Sequence, residues 1–177
     1  MDTVFNAVVN QSDRGAALVI ASMLDDTIRM ALAAKFRPLN SDDYGDLFDP
    51  DRPLGTFSAR INLAYALRLC DKREKRNLHT IREVRNAFAH TMRPITFKTV
   101  EVERLCSFLE PKEGSSDAKR VGFPDGLAHH LYTATAIILI NKFLEAATDE
   151  RQALAHALMD YGVELPLPDK STPHKPE

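Results

Sequence analysis

Between Ser12 and Met159 the apolar residues recur at intervals of three and four, and no stretch alternates apolar and polar positions as a half-buried strand does. That pattern restricts the chain to an all-α fold, a bundle of antiparallel long helices. A first long helix runs from about Ser12 to Phe36. Val19, Ile20, Met23, Leu24, Ile28, Ala31 and Leu32 form its apolar side, Ser12 or Asp13 its cap, and Asp25, Asp26 and Arg29 lie mainly opposite. Ser41 to Pro53 reads as a short helical turn pinned by Tyr44, Leu47 and Phe48. Gly55 or Thr56 caps a second long helix, from Phe57 to Cys70, apolar on so much of its circumference that it belongs at the centre. Asp71 breaks that pattern, and Lys72-Arg73-Glu74-Lys75-Arg76 follows as a solvated, mostly basic stretch.

The next helix carries Leu78, Ile81, Val84 and Phe88 as an apolar stripe and ends before Arg93-Pro94. Arg85 falls on that stripe, four residues after Ile81 and three before Phe88. An arginine there is costly unless something pairs with it. Asn86 follows directly and His90 closes the helix, so a charge, an amide and an imidazole stand where plain core would serve. Thr99 caps a helix from Val100 to Leu109, and residues 111 to 124 form the clearest loop. A long helix runs from Asp125 past the fully apolar Ile137-Ile138-Leu139-Ile140, and Thr148 to Met159 forms a separate last helix. The expected organisation is one domain over residues 1–163, with a flexible tail over 164–177 containing Pro166, Pro168, Pro173 and Pro176.

A net charge of -2 argues against a molecule that grips nucleic acid over its whole surface. Cys70 and Cys106 lie within helical patterns and read as small buried residues in a reducing cytoplasm. No apolar run is long enough to cross a membrane, and the first residues lack the basic and apolar regions of a signal peptide, so the expected location is cytoplasmic. His129 and His130 diverge around a helix, and no paired-cysteine or His-x3-His spacing occurs, so no metal and no cofactor is expected. No glycine-rich phosphate loop or nucleophilic triad can be assembled. The basic residues from Arg68 to Arg85 have two readings: a solvated connection between helices, or an RNA-facing patch beside the motif. No aromatic residue interleaves with them, so base stacking is not signalled.

Arg85-Asn86-Ala87-Phe88-Ala89-His90 is similar to the R-x4-H pattern of the HEPN superfamily, whose fold is a helical bundle. A longer stretch, Pro53-Leu54-Gly55-Thr56-Phe57-Ser58-Ala59-Arg60-Ile61-Asn62-Leu63-Ala64-Tyr65-Ala66-Leu67, resembles the mannitol operon repressor (MtlR-type) family, and Asp42-Asp43-Tyr44 before it fits as well. The resemblance covers about residues 12 to 147. It implies a transcriptional repressor or co-repressor on a HEPN-like bundle. No basic recognition helix is spare, so regulation is expected to pass through a protein partner and not through specific binding of duplex DNA.

The HEPN resemblance implies the alternative, metal-independent RNA cleavage. His90 would move a proton at a ribose hydroxyl or leaving oxygen, Arg85 would stabilise charge on the phosphate, and Asn86 would orient. Five residues along a helix turn the direction by about 140°. Arg85 and His90 converge only if the last turn frays or if two subunits pool residues. On the structural reading, Asp25, Asp26 or Glu145 pairs with Arg85, and Asn86 and His90 serve the helix end. The broad apolar faces of the second helix and of Leu131 to Leu144 lead to an expected symmetric homodimer.

Overall fold

Helix α1 spans Asp13–Lys35, and its start is set by Ser12, whose hydroxyl accepts the Gly15 amide. The computed structural model describes residues 11–111 and 127–160, with side chains to residue 148. Within them every regular element is a helix and there is no strand. Five further helices follow: α2 (Ser41–Phe48), α3 (Phe57–Ala66), α4 (Lys72–His90), α5 (Val100–Cys106) and α6 (Leu127–Asp160). The loop expected over 111–124 lies beyond residue 111 outside the described residues, as does the tail over 164–177.

The α1 face bearing Ala16, Ala17, Ile20, Leu24, Ile28, Ala31 and Leu32 is buried, most extensively against α6. Helix α4 runs antiparallel to both. Glu74 near its start pairs with Lys142 far along α6. The segment after its end meets the starts of α1 and α6, where the Phe97 amide donates to Asp13 Oδ2 (2.8 Å) and the Phe97 ring stacks on His129. Helices α1 and α6 therefore run parallel, and the Tyr132 hydroxyl donates to the Ala17 carbonyl between them (2.8 Å). Burial of that hydroxyl pushes its pKa upward. Cys70 and Cys106 are buried and unbridged, and burial raises their thiols to about 11 and about 12.

Four boundaries differ from the sequence reading, the smallest at α5, which ends at Cys106 and not at Leu109. Helix α3 stops at Ala66 instead of continuing to Cys70. Arg68 turns the chain with φ 60, its amide bonds Tyr65 O, and the Leu69 amide bonds Ala64 O. This is a Schellman ending with an arginine where glycine is usual. Tyr65 and Leu67 are left exposed, so α3 is less central than its composition suggests. Replacing Arg68 by glycine removes the Cβ that the left-handed conformation disfavours. We expect Arg68→Gly to raise the urea midpoint, a gain of up to about 1 kcal/mol; an unchanged or lower midpoint would contradict that.

The basic run is the first turns of α4 and not a connection before it. Asp71 caps the helix by accepting the Glu74 amide on Oδ1, and Glu74 Oε2 accepts the Asp71 amide. Finally, α6 is continuous from Leu127 to Asp160. The Thr148 hydroxyl does not cap a new helix; it donates back to Leu144 O.

Candidate functional site

The second half of α4 forms one wall of a polar cleft of about 300 Å³. Arg82, Arg85 and Asn86 stand at i, i+3 and i+4, hence on one helix face. Ala21, Ser22 and Asp25 of α1 form the second wall, and Gly55, Thr56, Phe57, Ser58 and Arg60 at the start of α3 the third. Thr56 caps α3 by accepting the Ala59 amide, so the helix begins at the cleft with its positive end toward it. Gly55 has a packing reason to be glycine. A Cβ there would lie 2.3 Å from Asp49 O and 2.4 Å from Pro50 O, both rigid backbone atoms.

The buried arginine of the site is Arg60, not Arg85. Arg60 is 8% exposed and engages Asp25 through Nε–Oδ1 (2.8 Å) and Nη2–Oδ2 (2.6 Å), while Nη1 donates to Leu54 O (2.6 Å). This fork-to-fork pair fills the hydrogen-bonding capacity that an inward guanidinium requires. Asp25 therefore faces α3, against the expectation that it lies on the solvent side of α1. Asp26 pairs with Arg29 on the exposed surface, and Glu145 is exposed on α6. None of the three carboxylates expected for Arg85 is held by it. Arg85 is half-buried, and its Nη1 donates to Asn86 Oδ1 (3.1 Å).

Arg82 was legible only as part of the basic run. Its Nε is sealed from solvent and makes no hydrogen bond. Among the described residues neither Arg82 nor Arg85 has a carboxylate partner. Burial, and then the charge of Arg82, hold the His79 imidazole below its ordinary pKa.

His90 is the last residue of α4 and exposed, and it does not line the cleft. The chain beyond it is tied down: the Thr91 amide bonds Ala87 O, and Arg14 of α1 donates to Thr91 O (2.8 Å) and Arg93 O (3.3 Å). The helix end is thus tied to α1, and within one chain Arg85 lines the cleft while His90 does not. The structure brings Arg85 and Asn86 together and leaves His90 apart.

The signal that singled out Arg85 was equally present at Arg60, which follows Phe57 by three and precedes Ala64 by four. His129 is buried and stacks face to face on Phe97, with ring centres 4.5 Å apart.

No protein-family model matches the sequence, and no curated protein does. Among solved structures, a chain of the X-ray structure of the MtlR–HPr complex from Escherichia coli matches with a TM-score of 0.53. The match covers 84% of this chain and 96% of that one at 15% sequence identity. The protein shares that fold. At this identity the likeness speaks for the arrangement of helices alone. No helix among the described residues is long and apolar enough to cross a membrane.

Proposed function

We propose that this protein is an MtlR-like regulator that works by associating with another protein, as a transcriptional repressor or co-repressor that does not itself grip operator DNA. The observation that carries this reading is the fold shared with a chain of the MtlR–HPr complex over 84% of the sequence. The Pro53–Leu67 segment supports it, since this segment supplies α3, its Thr56 cap and a wall of the cleft. The partner class named by the reading is an HPr-type protein. The reading includes a homodimer in the cytoplasm.

Sedimentation velocity tests both associations together. The chain alone should run at dimer mass, and the HPr-type protein of the same genome should add mass to it at roughly 100 µM or below, the range of weak regulatory contacts. A monomer that gains nothing from that partner would overturn the reading.

A second reading, metal-independent RNA cleavage, draws on Arg85 lining a cleft and on His90 being exposed. It requires two copies to pool these residues, with Asn86 holding the arginine.

A further inference from the structure

We propose that the cleft between α1, α3 and α4 is a binding site for a small phosphomonoester, held chiefly by Arg82 and Arg85. The charge balance is the first argument. Asp25 is matched by Arg60 in a bidentate pair, so those two groups contribute no net charge to the cleft. Arg82 and Arg85 remain, without a carboxylate partner among the described residues. Two unmatched guanidinium groups on one helix face suit a dianion such as a phosphate monoester, which both can fork onto.

The unsatisfied donor is the second argument. Arg82 Nε makes no hydrogen bond within the chain, so no internal acceptor holds this guanidinium, and the head group of a cleft-lining arginine is left to a ligand. Shape is the third. The cleft is polar, holds about 300 Å³, and is therefore larger than a bare phosphate and of the size of a small metabolite. Asn86 and Ser58 add an amide and a hydroxyl on two of its walls, and the first turn of α3 adds its positive end. A carboxylate offers two oxygens and one charge, too few for this set of donors. His90 takes no part. The inference rests on the cleft and not on the proposed protein partner, so each can fail without the other.

The experiment is calorimetric titration with inorganic phosphate and with glycerol 2-phosphate, at constant ionic strength, against a chloride control. The expected result is saturable binding of one phosphomonoester per chain. Arg82→Gln should weaken it roughly tenfold or more, the scale of one charge-assisted contact. Asn86→Asp keeps the shape of the wall, adds a repelling carboxylate and should abolish it, with the fold checked by circular dichroism. His90→Gln should bind as the wild type does. Absence of saturable binding by either phosphate would overturn the proposal, as would binding that both cleft variants retain. A short single-stranded RNA that binds the same cleft roughly tenfold more tightly than glycerol 2-phosphate would overturn it in favour of a nucleic-acid ligand.

Discussion

Arg60→Ala will cost the protein about 3 kcal/mol or more, at the scale of breaking a buried ion pair from one side. The substitution strands Asp25, whose two oxygens lose their donors, and frees the Leu54 carbonyl that Nη1 holds. It also loosens the turn that delivers Gly55 and Thr56 to the cleft. Arg85→Ala, five helical residues from His90, will cost only about 1 kcal/mol, because the hydrogen bond lost is a single one to Asn86 and no carboxylate is left behind. Urea unfolding of the two variants, read at equal m-values, measures the order directly. An Arg85→Ala variant less stable than Arg60→Ala would contradict this assignment of the buried pair.

Phe97→Ala will have an effect of similar size, about 3–5 kcal/mol. Phe97 is 1% exposed, and its ring meets Phe88 at 5.0 Å, Tyr132 at 5.3 Å and His129 at 4.5 Å between centres. These rings come from α4, α6 and the segment after His90, so the cavity would open where three elements meet. Its amide is also the one that ties that segment to Asp13. The expected sign is a large fall in the urea midpoint, with limited proteolysis reaching residues 91 to 99 sooner than elsewhere. A loss below about 1 kcal/mol would mean that the cluster collapses around the gap.

Much of the fold was legible because caps and periodicity agree. Ser12 and Thr56 cap where the pattern starts, and the stripe Leu78, Ile81, Val84 and Phe88 is fully buried. Thr99 precedes α5 as expected, although its hydroxyl accepts the Thr96 amide and does not cap the helix. The missed boundaries have local causes. A helix ending that uses arginine in a left-handed conformation carries no glycine to announce it. A threonine that bonds back to Leu144 looks in the sequence like one that starts a helix. Asp71-x-x-Glu74 was a readable capping box, obscured by the run of basic residues around it.

The site was legible in part. The cost of a charge on an apolar stripe pointed to Arg85 on α4, which lines the cleft without a carboxylate partner among the described residues, and the same argument applied to Arg60 would have asked for a partner without naming it. Which arginine is buried depends on whether a carboxylate from a distant helix arrives opposite it. That is decided by the packing of α1 on α3, thirty-five residues apart at Asp25 and Arg60, and no local pattern contains it.

On this account Arg82 and Arg85, with Asn86 beside them, bind a ligand and His90 performs no chemistry. The measurement that tests it most directly is an RNA degradation assay on purified wild-type, Arg85→Ala and His90→Ala proteins, with EDTA present to silence metal-dependent nucleases and a melting curve on each. The account predicts no cleavage by the wild type, and a His90→Ala protein that melts within about 1 kcal/mol of it, since an exposed helix-terminal imidazole contributes little. Wild-type cleavage that vanishes in a folded His90→Ala protein would contradict it.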